Sequence, residues 1–173
     1  MTDPIHQPPE ASKDDPSKAL APPRLLVLHV DDEAINRRVL QELLRALGHV
    51  GFQAESAPRA LELARLAAFD LILMDIHMPG MTGIEAIREM RSGGGPERTI
   101  PVVAVSADVV SFSLDDCRAF GFCGLLAKPV SLSALTAEIG RAWAGFSAAQ
   151  REAVETRTRD PAILLGPAAL LHL

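Results

Sequence analysis

Residues 25–48 read LLVLHVDDEAINRRVLQELLRALG. Leu25 to Val30 is a continuous apolar run, the signature of a strand buried on both faces. It stops at Asp31-Asp32, and a helical period takes over. Ile35, Val39, Leu43 and Leu47 recur every fourth residue, with Leu40 and Leu44 widening the stripe. Gly48 closes the helix as a C-cap signal. A buried strand followed at once by an amphipathic helix is one half of a βαβ unit, so the question is whether the pattern repeats.

It does. A weak strand spans Val50 to Ala54, and a helix spans Pro58 to Ala68, with proline in its first turn. The third strand is DLILMD, Asp70 to Asp75, followed by the turn IHMPGMTG and a helix from Ile84 to Arg91. Ile100 to Ser106 gives strand four, Val109 to Phe120 a helix with a poor stripe, and Phe122 to Lys128 strand five. A last helix runs from Leu132 to Phe146, with Leu135, Ile139 and Trp143 on one face. Five strand–helix units predict an α/β fold: a doubly wound (βα)5 parallel sheet with helices on both faces.

Composition excludes several functions. The chain has 173 residues, 48% of them apolar, enough for a substantial core without a metal or disulfide staple. A net charge of -5 argues against binding to nucleic acid, whose phosphates need clustered Lys and Arg. Aromatics at 4%, with no Tyr, leave few surfaces for base stacking. Two cysteines cannot build a disulfide framework. No signal peptide or membrane-spanning run is present, so a cytoplasmic protein is expected, with no membrane partner. Residues 1–23 hold six prolines and little apolar periodicity, which predicts a disordered leader. Residues 24–147 form the domain. Residues 148–173 are expected to be a tail with no output domain, its apolar end either disordered or a docking segment.

Ligands of open parallel sheets bind outside the C-terminal strand ends. Strand one ends in Asp31 and Asp32, strand three in Asp75, strand four in Ser106 and strand five in Lys128. Three carboxylates in one cleft repel, by roughly 4 kcal/mol per pair at 4 Å and an effective dielectric near 20. Mg2+ relieves that repulsion and takes phosphoryl oxygens as further ligands. Lysine adds a compact positive charge and serine a neutral donor. A carboxylate can then serve as nucleophile and carry a phosphoryl group. Asp75, after a buried strand and before a turn containing Pro79, Gly80 and Gly83, suits that role, while the adjacent pair suits metal and ordered water.

The segments LLVLHVDDEAINRRVL, DLILMDIHMPGMTGIEAIREM, VVAVSAD and GLLAKPV resemble the receiver domain of two-component response regulators. The resemblance spans Arg24 to Phe146 and implies a flavodoxin-like sheet of order 2-1-3-4-5. It implies that Asp75 accepts a phosphoryl group from a phosphohistidine, supplied by a sensor histidine kinase or a histidine phosphotransfer protein. Asp32 would bind Mg2+ directly and Asp31 would orient a metal-bound water, with the backbone carbonyl of His77 as a further ligand. Ser106 would turn to the phosphoryl oxygen, and Lys128, aimed inward by a cis bond to Pro129, would pair with it. A downstream protein partner would read helix four, strand five and helix five. Asn36-Arg37-Arg38 resembles receivers attached to hybrid sensor kinases.

Three positions depart from or vary within the pattern. Leu125 stands where the family often has an aromatic, which implies an aliphatic or weaker switch. His77 and Asp108, each two residues after a site residue, would tune phosphoryl lifetime. Other readings compete. Asp31 and Asp32 alone could cap a helix, Ser106 could be a cap, Asp75 a turn residue and Lys128 a solvated surface residue. His29 reads as packed, and His6, His49 and His172 lack partners at metal spacing. Cys117 and Cys123 read as small buried residues, and Gly93 to Gly95 as a flexible loop. Two functions rival a phosphoacceptor without external-substrate turnover: a receiver that binds its partner without phosphorylation, and a metal-dependent phosphatase with a strand-end Asp.

Overall fold

A computed structural model describes residues 22–159. The strands β1 (Leu26–Val30), β2 (Val50–Ala54), β3 (Leu71–Asp75), β4 (Val102–Ser106) and β5 (Gly124–Ala127) form one parallel sheet. Their order is β2-β1-β3-β4-β5, a flavodoxin-like arrangement. The helices are α1 (Ala34–Ala46), α2 (Ala57–Leu66), α3 (Gly83–Ser92), α4 (Leu114–Phe120), α5 (Leu132–Ala144) and α6 (Ala148–Arg159), with a 3-10 turn at Pro96–Thr99. Every residue of β1, β3 and β4 is buried, as continuous apolar runs require.

The strands divide their side chains between two faces. Leu28, Ile72, Met74 and Ala104 pack with α2, α3 and α4. Val27, Leu73, Val103 and Val105 pack with α1 and α5. The helices begin where their sequence provides caps. Ser56 accepts from the Arg59 amide, Thr82 and Glu85 form a reciprocal capping box, and Ser131 accepts from the Ala134 amide.

Five expectations need correction. The α1 stripe splits: Leu40 and Leu44 enter the core, while Ile35 and Val39 are 73% and 46% exposed. Contact with one sheet face needs only a narrow apolar strip, and the helix turns Leu40 and Leu44 inward. The helix predicted from Val109 starts instead at Leu114, because Ser113 and Asp116 make a capping box there. Upstream, the Asp108 carboxylate accepts from the Ser111 amide and turns the chain. Cys123 is exposed, although Cys117 is buried. Gly93 and Gly95 are more than a loose connection, since a Cβ at either would overlap the buried Glu97 carboxylate. Finally, α6 occupies Ala148–Arg159, where a tail was expected. The proline-rich leader, His6, His172 and the apolar C-terminal end lie outside the described residues.

Candidate functional site

The C-terminal ends of β1, β3 and β5 converge on one carboxylate cluster. One oxygen from each of Asp31, Asp32 and Asp75 lies within 4.8 Å of the others. Asp31 and Asp75 are 1% and 3% exposed, whereas Asp32 faces solvent. The Lys128 Nζ enters from β5 and lies 2.8 Å from Asp75 Oδ2 and 2.8 Å from Asp31 Oδ2. The peptide bond to Pro129 is cis. The backbone amide of His77 donates to Asp75 Oδ1 at 3.0 Å.

Turn chemistry fixes Asp75 from behind. Gly83, the first residue of α3, donates its amide to the Ile76 carbonyl at 3.0 Å. A Cβ at Gly83 would stand 2.3 Å from the Asp75 carbonyl oxygen, so only glycine permits this approach. The sequence marked Gly83 only as a turn residue.

Asp31 and Asp32 do not cap α1 as a pair. The N-cap is Glu33, whose side chain makes no capping bond. Asp31 Oδ1 instead accepts from the Glu33 amide at 2.8 Å and from Asn36 Nδ2 at 3.3 Å. Asp31 Oδ2 is buried without a hydrogen-bond partner, so its contact with Lys128 is ionic and not an aligned hydrogen bond. A buried carboxylate oxygen that accepts no hydrogen bond, beside two other carboxylates, fits a hard divalent cation. Those three acids would hold it. Arg37 entered the sequence reading only as part of a motif, without its contacts; its guanidinium donates to the carbonyls of Asp31 and Asp32 at 2.8 and 3.0 Å. A cation in a first helical turn opposes the helix dipole, which is the signal that could have singled it out.

Ser106 is fully buried at the end of β4, and its hydroxyl is engaged within its own loop. It donates to the Asp108 carbonyl at 3.3 Å and accepts from the Asp108 amide at 3.0 Å. The His77 side chain is exposed, and hydrogen bonds from Ser111 hold the Asp108 carboxyl below the usual range. Leu125 is half-buried against the α2–α4 side of the core. His29 is packed as expected, with Nε2 2.9 Å from Gln41 Oε1.

Burial pushes the Asp75 carboxyl up, and the Asp31 charge adds to that, against the opposing pull of Lys128 and the His77 amide. Burial alone would pull Lys128 down, but the two carboxylates outweigh it and raise it overall. A raised carboxyl binds protons more readily in the folded than in the unfolded chain, so its ionised form costs stability at neutral pH. Asp75→Asn is therefore expected to raise the melting temperature of the metal-free protein at neutral pH. The gain should shrink as acidification passes through the raised Asp75 value. A lower melting temperature at neutral pH would mean that pairing with Lys128 outweighs burial.

The response regulator receiver domain family matches residues 27–140. The chain is 38% identical over 142 residues to sensor histidine kinase AruS of Pseudomonas aeruginosa, covering 78% of this chain and 14% of that protein. The chain thus spans about one seventh of the length of such curated relatives. Among solved structures it is similar to the receiver domain of another Pseudomonas aeruginosa sensor histidine kinase, with magnesium coordinated in the active-site cleft. That likeness has a TM-score of 0.63 and 29% identity, and covers 71% of this chain and 99% of that one. A Saccharomyces cerevisiae complex of the histidine phosphotransfer protein Ypd1 with the Ssk1 receiver domain matches with a TM-score of 0.60 and 27% identity, covering 68% and 87%. With the family matched across the sheet and five of its helices, this chain belongs to the response regulator receiver domains of two-component signalling.

Proposed function

We propose that Asp75 is a phosphoacceptor, taking a phosphoryl group from a phosphohistidine in a Mg2+-dependent reaction. The observation that carries this reading is the position of Lys128, 2.8 Å from two buried carboxylates that share a cluster with a third. An Asp75 oxygen forms the new bond to phosphorus as the phosphorus–nitrogen bond of the donor breaks. The bonding pair stays on the imidazole nitrogen, which takes a proton. The His77 amide steadies Oδ1, and the Lys128 ammonium meets the charge on the transferred oxygens.

Asp31, Asp32 and Asp75, with the backbone carbonyl of His77, are the groups assigned to Mg2+. When bound, the ion neutralises the phosphoryl oxygens and lowers repulsion among the acids. Phosphorylation would draw the Ser106 hydroxyl from Asp108 to the phosphoryl oxygen. The β4–α4 loop would move with it, and Leu125 would transmit the change by aliphatic repacking to a protein-contact face. His77 and Asp108 would tune the lifetime of the phosphoryl group. The domain read as residues 24–147 would then include α6.

The donor is a sensor histidine kinase or a histidine phosphotransfer protein. Ile35 and Val39 stand exposed on α1, and a shallow groove lined by Asn36, Val39, Leu40, Pro129 and Val130 leads to Lys128. An apolar face beside the nucleophile would let a helical donor dock without competing for its charge. Among the described residues no helix is long and apolar enough to cross a membrane.

The test uses acetyl phosphate or phosphoramidate with Mg2+, read by intact mass and peptide mapping. One phosphoryl group on Asp75, lost in Asp75→Asn or with a chelator, is the expected result. An unmodified wild-type chain would overturn the reading, and sustained release of phosphate from an added ester would favour a phosphatase. In the same assay His77→Ala should change the decay time of the phosphoprotein.

A further inference from the structure

The segment Asp31-Asp32-Glu33 places three acidic residues in a row at the end of β1. An arginine four residues beyond is expected to pair with a carboxylate, since guanidinium and carboxylate match as a two-pronged fork. Arg37 does not. Its NH1 donates to the backbone carbonyls of Asp31 and Asp32, at 2.8 and 3.0 Å. Asn36, its neighbour, holds Asp31 Oδ1 at 3.3 Å. Asp31 Oδ2 is left buried and without a hydrogen bond, and Asp32 is left open to solvent.

This division of contacts matters for a cation. A guanidinium bound to the carboxylates would occupy the ligand atoms. Bound to the carbonyls, it fixes the β1–α1 loop and leaves those atoms free. It also does so at the one helix start on this rim that lacks a side-chain cap of its own, with Glu33 as N-cap making no such bond. We infer that Arg37 is a positioning residue, which holds Asp31 and Asp32 in a cation-ready geometry before any cation arrives. This rests on the assignment of Mg2+ to the carboxylate cluster.

Two effects of replacing Arg37 have opposite signs, and that makes the inference testable. Loss of a nearby positive charge by itself favours cation binding. Loss of the bridge between the two carbonyls disorders the loop and weakens it, and changes to groups that orient metal ligands typically weaken affinity about 10–100-fold. Arg37→Lys keeps the charge, but its shorter side chain stops the ammonium short of the place of Nη1, the single nitrogen that donates to both carbonyls. Arg37→Met loses charge and bridge together.

Mg2+ affinity is measured by calorimetry on the intact chain, alongside melting temperature and amide hydrogen exchange without metal. The expected result for Arg37→Lys is Mg2+ binding weaker by about tenfold. Arg37→Met should also bind more weakly, but less so, because charge removal offsets part of the loss. Both variants should melt close to the wild type and show faster exchange at Asp32 and Glu33 before metal is added. Unchanged affinity in Arg37→Lys with tighter binding in Arg37→Met would reduce Arg37 to a bystander charge and overturn the inference. Equal exchange rates would do the same. If the wild type binds no Mg2+, the assignment of the cluster fails together with the inference, a result distinct from wild-type binding that Arg37 does not affect.

Discussion

Replacing Lys128 with methionine should abolish most phosphoryl transfer and make the stability of the fold depend on Mg2+. The Nζ is the only side-chain cation in contact with the carboxylates of Asp31 and Asp75 among the described residues, and both are almost fully buried. Removing one partner of a buried pair costs about 3–5 kcal/mol, because a charge is left without compensation. The lysine side chain is 20% exposed, so water reaches the cluster and the low end of that range applies. The loss has two remedies, and each can be read separately. Asp75, already raised by burial and by Asp31, would rise further and take up a proton more easily as the pH falls. A divalent cation would replace the missing charge, adding about 2.7 kcal/mol at a concentration 100 times its dissociation constant. Neither remedy restores the ammonium proposed to meet the transferred oxygens, and loss of one such donor typically slows a reaction by about 10²–10³-fold. Lys128→Met should therefore melt lower without metal, recover with Mg2+, and still react slowly with acetyl phosphate. The double variant with Asp75→Asn should recover stability but remain unreactive. An unshifted melting temperature with a normal phosphorylation rate would show that Lys128 is a bystander.

What the sequence made legible follows from where the information is local. The strands β1, β3 and β4 are apolar apart from His29 until polar residues appear at their C-terminal ends, so both the sheet and its polar rim can be read one strand at a time. Asp75 and Lys128 are 53 residues apart, yet each is marked by its own strand end, and the structure brings them to 2.8 Å. The strand order is different in kind, since it came from resemblance and no single strand encodes it. Where the reading failed, the deciding contact was between elements. Ile35 and Leu40 look alike in a helical stripe, but only the angle at which α1 meets the sheet decides which is buried. Val109 and Val110 looked like the start of a helix, whereas Ser113 and Asp116 set that start by a reciprocal cap four residues later. Arg37 was read as part of a motif because sequence shows its charge and not its acceptors, which are backbone carbonyls. The helix α6 has a weak apolar stripe and only one buried residue, Val154, so periodicity could not announce it.

That helix is held by polar contacts that only the fold creates, which leads to a second large expected effect. Asp70 immediately precedes β3, at the opposite end of the sheet from Asp75, roughly 16 Å away at about 3.3 Å per residue. Its Oδ2 accepts from the Leu26 amide at 2.7 Å, and both its oxygens accept from the single Nη2 of Arg157 on α6. Burial pushes the Asp70 carboxyl up, and Arg157 and the Leu26 amide pull against it without cancelling it. The other α6 anchors are weaker. Gln150 donates to the Thr99 carbonyl at 3.4 Å, and Arg151 lies over the Trp143 ring while donating to the carbonyls that end α5. Arg157→Met would leave a buried carboxylate with one backbone donor, at a cost of about 3–5 kcal/mol. Arg157 Nε is itself buried without a partner, so relief of that defect moves the expected loss toward the lower figure. At roughly 2–4 °C per kcal/mol for a chain of this size, the melting temperature should fall by about 10 °C. The deficit comes from an ionised Asp70, so it must shrink as acidification passes through the raised Asp70 value, where the neutral acid needs no counterion. Adding Asp70→Asn to Arg157→Met should recover most of the loss for the same reason. Phosphorylation of Asp75 should stay within about twofold of wild type in both variants, given the distance along β3. A melting temperature that is unchanged in Arg157→Met, or a deficit that does not respond to pH, would show that the pair contributes nothing and that apolar contacts around Val154 alone hold α6 in place.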